Sequence, residues 1–140
     1  MVLVVVVIVL HYVHPRRKFL IAVTISRCSI SRDGHFIYVT GPDSPGLLIL
    51  DISGNKLTFV KHDGLMSSSG LHVSPGGQVF VCGAGSQMVM QLDRERNRLI
   101  KVVNGDTGLT SPLCVVMSNR KSCLIIGQKA TSGILVIGVQ

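Results

Sequence analysis

The sequence predicts an all-β protein, and three observations support this class. First, a polar turn followed by an apolar run and a glycine occurs three times, beginning at Ser31, Ser74 and Ser118. Second, the copies lie about 43 residues apart, a period typical of repeats that contain several short strands. Third, apolar runs such as 47–50 are nearly continuous, as in strands buried on both faces, while helical periodicity is weak. These features indicate stacked antiparallel sheets, the architecture of a β-propeller.

The first copy contains enough short apolar runs for one four-stranded antiparallel sheet. Turn signals separate these runs, among them Asp33-Gly34 and Ser53-Gly54-Asn55. The expected strands cover residues 28–31, 36–40, 47–52 and 57–61.

The second copy repeats this order, and Leu92-Asp93 falls where Leu50-Asp51 does in the first copy. Its strands are expected at 71–73, 78–82, 88–92 and 98–103, and the third copy provides strands at 113–116, 122–126 and 134–139. A propeller needs about four to eight blades to close, whereas the repeats here make fewer than three. We therefore expect an incomplete propeller of four-stranded antiparallel blades. The blades are placed at 27–70, 71–112 and 113–140, the last of them partial.

An incomplete propeller leaves sheet edges and apolar faces uncovered. The chain is then either a fragment of a longer protein or one whose ring is completed by other chains. Homo-association through the open blade edges is a further expectation.

The segment 1–26 differs in composition from the repeats. Its first ten residues, MVLVVVVIVL, are apolar, and basic residues follow at 16–18. The apolar run is shorter than the roughly 20 residues of a spanning helix, and its valines favour a strand. We expect a hydrophobic segment foreign to the repeats and no membrane contact. The alternative is a signal anchor with the basic residues on the cytoplasmic side.

Charge and cysteine content limit the environment and partners of the chain. The formal net charge is +7, which favours acidic proteins, nucleic acid or anionic membranes as partners. The four cysteines form no Cys-x-x-Cys pair, and strand-like surroundings predict buried, reduced thiols. A cytoplasmic location is therefore expected. These cysteines are Cys28, Cys82, Cys114 and Cys123.

The repeats resemble NHL repeats, especially those at the carboxy-terminal end of tripartite-motif (TRIM) proteins. The resemblance extends over about four-fifths of the chain, from Arg27 to Gln140. Its turn-strand-glycine pattern also occurs in bacterial YVTN-type propellers. The segments that carry it are 28–34 with 36–39, 70–77 with 79–83, 89–93 and 124–128.

This resemblance implies a recognition module for proteins or, alternatively, RNA. In TRIM proteins, a RING finger, a B-box and a coiled coil provide ubiquitin ligase activity and self-association. The sequence has no cysteine and histidine clusters of those types, so ligase activity is not carried over and the chain is not expected to be an enzyme. Its expected role is substrate recognition for a TRIM-like ligase.

Antiparallel strands sort the loops to two ends of each sheet. In the resembled family, ligands usually lie at the end that carries the second-to-third connections and the crossovers. The candidate partner-binding residues at that end are Asp43, His62, Met66, Ser68, Ser86, Asp106 and Lys129. Most basic residues fall at the opposite end, where the candidates for contact with an anion or RNA are Arg94, Arg96 and Arg98.

A metal-dependent propeller hydrolase or lactonase is the alternative from a different functional class. Such sites use Glu, Asp and Asn ligands, but Glu95 is the sole glutamate and falls in a predicted hairpin. His72, on a predicted inner strand, is interpreted as a structural residue. No nucleophile elbow or phosphate-binding loop occurs, so no catalytic residue, metal ligand or cofactor is predicted.

Overall fold

The computed structural model describes residues 25–42, 44–129 and 133–139, and this part of the chain forms three antiparallel sheets. Strands follow turn signals and β-branched or apolar runs, as the sequence pattern predicts. The first sheet contains β1 (Arg27–Ile30), β2 (Phe36–Thr40), β3 (Gly46–Asp51) and β4 (Lys56–Lys61). The second contains β5 (Ser68–Val73), β6 (Val79–Gly83), β7 (Met88–Asp93) and β8 (Arg98–Val103). The third contains β9 (Pro112–Ser118), β10 (Cys123–Gln128) and β11 (Ile134–Gly138), after a short 3-10 helix, Gly105–Thr107.

Each sheet is a meander in which consecutive strands pair. The first two sheets have four strands in the order of the sequence, and the third has three among the described residues. This confirms the all-β class and the expectation of four-stranded blades, with open sheets as in an incomplete propeller.

The sheets pack face to face through two apolar clusters. Tyr38 and Ile49 of the first sheet contact Val81 and Met90 of the second within one buried cluster. The opposite face of the second sheet, which includes Phe80, belongs to the other cluster. There it packs on β9 and β10 of the third sheet. Strands buried on both faces explain the continuous apolar runs of the sequence.

The repeat is offset by one residue between the first and second hairpins. The Ser31 amide donates to the Phe36 carbonyl, whereas the Ser74 amide donates to the Gln78 carbonyl. A constant period of 43 would align Phe36 with Val79, but the hydrogen bonds align it with Gln78. His35 is therefore an additional residue within the first turn. Since a shift of one residue exchanges the two faces of a strand, this alignment decides which side chains lie between the sheets.

The extra residue preserves the way in which the sheets pack. With Phe36 aligned to Gln78, Tyr38 takes the place of Phe80, and both face the sheet that follows in the sequence. Asp51 and Asp93 also remain equivalent, because Asp51 pairs with Phe36 and Gln91, two residues before Asp93, pairs with Phe80.

The third sheet has an uncovered apolar face. Leu124 and Ile126 pack on the second sheet, so the alternation of the strand places Ile125 on the other side. Ile125 pairs with Val116 on β9 and with Val136 on β11, forming one cross-strand row. Their exposed fractions are 37%, 49% and 62% respectively, high for apolar residues in the middle of strands.

Two predictions from the sequence need correction, one on a strand boundary and one on the cysteines. The strand expected at 71–73 begins earlier, because β5 starts at Ser68, whose amide donates to the Ser44 carbonyl. The cysteines are all free thiols, but Cys28 and Cys114 are exposed and only Cys82 and Cys123 are buried. The expectation of buried thiols is therefore wrong for Cys28 and Cys114.

The predicted amino-terminal segment lies outside the described residues up to residue 24. Ile25 is buried with Ile37, Val39 and Leu50 on the face of the first sheet that points away from the second. Within the described part of the chain, no helix has the length and apolar character needed to span a membrane.

Candidate functional site

The turns between the first and second strands and between the third and fourth strands of the sheets lie at one end of the molecule, here called the turn end. It comprises residues 31–35, 52–55, 74–78, 94–97 and 119–122. The connections between the sheets and the second-to-third connections lie at the other end, here called the loop end. Two cavities open at the turn end. The first lies between the first and second sheets, and the second is lined by residues of the second sheet alone, among them Gln91 and Ile100 on the face that carries Phe80.

The first cavity has a volume of about 410 Å³. Side chains from the first hairpin and from β2 form one wall, and the turn of the second sheet forms the floor. Its lining residues are Ser31, Arg32, Asp33, Tyr38, Gly76, Gly77 and Arg94.

The second cavity has a volume of about 530 Å³ and shares Gly76, Gly77 and Arg94 with the first. The two cavities meet at these shared residues, and together they are called the turn-end groove. The rest of its second half combines amide, charged and apolar groups: Gln78, Gln91, Leu92, Asp93, Glu95, Arg96, Ile100 and Val102.

Arg94 connects the two sheets across this groove. Its guanidinium lies over the Phe36 ring, with Cζ 4.0 Å from the ring centroid, and one terminal nitrogen donates to the Tyr38 hydroxyl at 2.7 Å. Such a cation–π contact stabilises by about 0.5–1 kcal/mol at an exposed site. Burial raises the pKa of Tyr38, and the nearby Arg94 acts in the opposite direction. The hydroxyl therefore remains protonated and accepts from Arg94 near neutral pH.

Asp33 is held in the first hairpin by local hydrogen bonds. Its carboxylate accepts from the Ser31 hydroxyl at 2.5 Å and from the His35 amide at 3.0 Å. These bonds, the Ser31 contact foremost, lower the pKa of Asp33. Asp33 is thus a fixed negative charge in the first cavity.

Asp93 neutralises much of the basic hairpin that follows it. It forms ion pairs with Arg96 at 3.2 Å and with Arg98 at 3.5 Å. Hydrogen bonding to the Arg96 amide is the largest cause that lowers the pKa of Asp93. Among the described residues, Arg94 makes no ion pair, although its charge contributes to lowering the pKa of Asp33 in the same cavity.

Basic residues outnumber acidic ones at the turn end, as the sequence predicts. Counting the strand residues directly beside the turns, the acidic residues there are Asp33, Asp51, Asp93 and Glu95. The basic residues are Arg32, Lys56, Arg94, Arg96, Arg98, Arg120 and Lys121.

The loop-end residues predicted to contact a partner have different environments. Met66 is 62% exposed, Lys129 and Asp106 are exposed, and Asp43 lies outside the described residues. His62 is partly buried, and its Nδ1 accepts from the Gly64 amide.

Two serines of the loop-end set make internal hydrogen bonds. Ser68 is fully buried, and its hydroxyl bonds to both the amide and the carbonyl of Gly41. Ser86 donates to the Gly83 carbonyl at 3.4 Å. Ser68 therefore shapes the adjacent loop from the interior. Partner contact by the set as a whole stays a prediction.

Sequence reasoning missed the joint role of Tyr38, Phe36 and Arg94. Arg94 is 56 positions from Tyr38 in the chain, and nothing in either local pattern links them. The sequence did show one related signal. Arg94 directly follows Asp93 at the start of a hairpin, and the Asp93 carboxylate accepts from the Arg96 amide in that hairpin. Among the described residues, no group of three or more His, Cys, Asp and Glu side chains is arranged to hold a metal ion.

Solved structures of other proteins share this architecture at low sequence identity. Hydrazine synthase of Kuenenia stuttgartiensis superposes with a TM-score of 0.70 and 18% identity, over 88% of this chain and 34% of that chain. The WD40 β-propeller domain of Doa1 superposes with a TM-score of 0.59 and 17% identity, over 74% of this chain and 33% of that chain. A putative 6-phosphogluconolactonase of Bacteroides fragilis NCTC 9343 superposes with a TM-score of 0.62 and 17% identity, over 80% of this chain and 34% of that chain.

These similarities define the chain as a set of β-propeller blades, and at such identities they concern the fold alone. The chain spans about a third of the length of each of these proteins. No protein-family model matches the chain, and no curated protein matches it either.

Proposed function

We propose that this chain is the protein-recognition part of a β-propeller and that the complete protein is a cytoplasmic, TRIM-like ubiquitin ligase with NHL-type blades. The observation that carries the recognition role is the turn-end groove, whose first cavity is a surface cleft formed jointly by two sheets. A groove between rigid elements presents a partner with fixed side chains at little entropic cost. The similarity to a WD40 propeller domain supports the same role.

The turn end is the better-supported contact surface. Both cavities lie there, and they contain an arginine that the first sheet holds in place. The loop-end set, with Met66 as its most exposed apolar member, is the competing surface.

Affinity purification with variants at each end tests the proposal. The tagged 140-residue chain is compared with Arg94→Glu at the turn end and Met66→Asp at the loop end, using a cytosolic extract and quantitative mass spectrometry. We expect a set of proteins that the wild type and Met66→Asp retain and that Arg94→Glu loses. If no protein distinguishes either variant from the wild type, the recognition proposal is contradicted.

RNA binding is the second candidate, favoured by the surplus of basic residues at the turn end. Binding through phosphates would weaken steeply as salt increases. The ion pairs of Asp93 with Arg96 and Arg98 reduce the charge available for such contacts. We therefore expect only weak binding of a labelled single-stranded RNA.

A salt-titrated RNA-binding assay separates the two candidates. Affinity that decreases with salt and is abolished by replacing Arg94, Arg96 and Arg98 with Ala would overturn the preference for protein partners. Replacing Arg120 with Ala in the third sheet provides the control for a general loss of positive charge.

The ligase part of the proposal is tested by the messenger RNA that encodes the chain. RING and B-box codons in the same reading frame, upstream of the blades, are the expected result. A transcript with a stop codon directly upstream of Met1 in every isoform would contradict the ligase role.

A further inference from the structure

We infer that the turn-end groove binds an acidic peptide segment, with a carboxylate between Arg32 and Arg94 and an apolar side chain near Ile100 and Val102. This inference rests on the proposed protein-recognition function and specifies the chemistry of the partner. The ligand is a peptide in an extended or turn conformation, which the groove binds in preference to a nucleic acid.

The first argument is the fixed position of the Arg94 guanidinium. The Phe36 ring lies beneath it at 4.0 Å and the Tyr38 hydroxyl accepts one of its N–H groups at 2.7 Å. Arginine carries five N–H donors in a planar fork, so most of them remain for a ligand. A fork that is already oriented loses less side-chain entropy when it binds a carboxylate in two places.

The second argument is the balance of charge in the first cavity. Arg32 and Arg94 provide two cations, and the carboxylate of Asp33 provides one anion. Asp33 is held by Ser31 and by the His35 amide, and its lowered pKa keeps it charged at neutral pH. The cavity therefore has an excess of one positive charge, which matches one carboxylate rather than a series of phosphates.

The third argument is the chemistry of the second half of the groove. Ile100 is 41% exposed there and Val102 lines the same cavity. Both lie on the face of the second sheet that carries Phe80, so a peptide bound at Arg94 reaches this apolar surface by crossing the turn at Gly76 and Gly77. The amide side chains of Gln78 and Gln91 lie beside it and offer both donors and acceptors to a peptide backbone.

Acidic side chains in the groove also disfavour RNA. Asp93 and Glu95 line the second cavity, and Asp33 lines the first. A nucleic-acid backbone crossing the groove would pass these carboxylates, whereas a phosphate-binding surface needs converging Lys and Arg side chains.

The floor of the groove permits close approach of a ligand. Gly77 has φ +86°, and a Cβ added to it would meet no atom within 4 Å. The backbone at this turn is therefore uncovered, and a peptide can lie directly across it.

Selection from a phage-displayed library of random peptides on the full 140-residue chain tests the inference. We expect enrichment of sequences that place Asp or Glu within a few positions of Leu, Ile, Val or Phe. The most enriched peptide is then labelled, and its affinity is measured by fluorescence anisotropy. Its matched version has the acidic residue replaced by the corresponding amide.

The expected result is a loss of affinity of about tenfold or more, both for the amide version and for Arg94→Gln, since hydrogen bonds to charged groups are strong. Tyr38→Phe keeps the buried ring and removes only the hydroxyl that positions Arg94, so a smaller loss of about threefold is expected. Arg120→Gln, in the third sheet, leaves the affinity unchanged. Circular dichroism confirms that each variant retains its sheet content.

Several results would overturn the inference. These are enriched peptides without acidic residues, no enriched peptide at all, undiminished binding to Arg94→Gln, or displacement of the peptide by a 12-nucleotide polyuridine. If peptides bind independently of Arg94, the acidic-peptide inference fails while the protein-recognition function remains supported. Failure of the protein-recognition function gives a different result: in the affinity purification, no protein distinguishes either variant from the wild type.

Discussion

Tyr38 shows how one side chain can serve both the core and the surface. Its ring is 1% exposed between the first two sheets, and its hydroxyl reaches the turn end, where it accepts from Arg94. The apolar ring follows from the strand pattern of the sequence. The contact with Arg94 does not, because it depends on how two sheets are placed relative to one another.

His72 is a partly buried residue with a buried ring nitrogen. Its Nε2 is buried and has no hydrogen-bond partner among the described residues. Burial lowers the pKa of His72 from 6.5, since the charged imidazolium would lose its hydration. In the strand pairing it lies opposite Phe80, on the inner strand of the second sheet.

We predict that acid destabilises the protein partly through His72. The pKa is lower in the folded state, so the unfolded chain binds more protons below about pH 6.5, and the free energy of unfolding decreases as the pH falls through that range. Urea denaturation at about pH 7 and pH 5 measures the effect, and His72→Val is expected to reduce the decrease. The exposed His35, replaced by Gln, is the control. An equal decrease in the wild type and in His72→Val would contradict the role of His72.

The hairpins of the first two sheets share a serine that closes the turn. The Ser31 hydroxyl accepts from the Phe36 amide, and the Ser74 hydroxyl accepts from the Gln78 amide, both at 3.0 Å. A glycine with positive φ completes each turn, at Gly34 and Gly77. These serines and glycines are the turn signals that made the repeat visible in the sequence.

We predict that Gly77→Ala destabilises the protein and that Gly76→Ala has little effect. Gly77 has φ +86°, a region that costs a residue with a Cβ about 1–2 kcal/mol, whereas the nearest atom to a Cβ at Gly76 is 3.7 Å away. The free energy of unfolding from chemical denaturation provides the measurement. Equal stabilities of the two variants would show that the turn relaxes to another conformation.

Strand positions could be predicted from the sequence to within a few residues, but their alignment could not. Apolar runs and turn residues are local signals, and β2 lies where they place it, at Phe36–Thr40. The extra residue His35 is invisible to a fixed period, because its effect appears only in the hydrogen bonds of Ser31 and Phe36. Likewise, β5 begins at Ser68 because that serine bonds to the preceding sheet, a long-range contact.

At the scale of the whole molecule, the three sheets form an unclosed stack. The uncovered row of Val116, Ile125 and Val136 on the third sheet is an apolar patch of the kind that promotes association. The repeat explains why this row is apolar. The corresponding face of the second sheet is also apolar, and there the third sheet buries it.

We predict that the protein associates with itself through this row at high concentration. Val116→Lys combined with Val136→Lys should shift the sedimentation behaviour towards the monomer, because burying two ammonium groups in an apolar contact is costly. Analytical ultracentrifugation over a range of concentrations measures the shift. Asn119→Lys, in the neighbouring turn, controls for added charge. Association that is unchanged in the double variant would place the contact elsewhere, for example at the edge of β11.

The charge distribution of the site could be predicted, but its shape could not. The gathering of arginines at one end followed from antiparallel connectivity alone. The groove depends on the spacing between two sheets and on Arg94 turning towards Tyr38, which are properties of tertiary packing.

The uncovered row has a consequence for the polarity of the stack. Ile37, Val39 and Leu50 on the outer face of the first sheet are buried, while the outer face of the third sheet remains open. The two ends of the array are therefore not interchangeable.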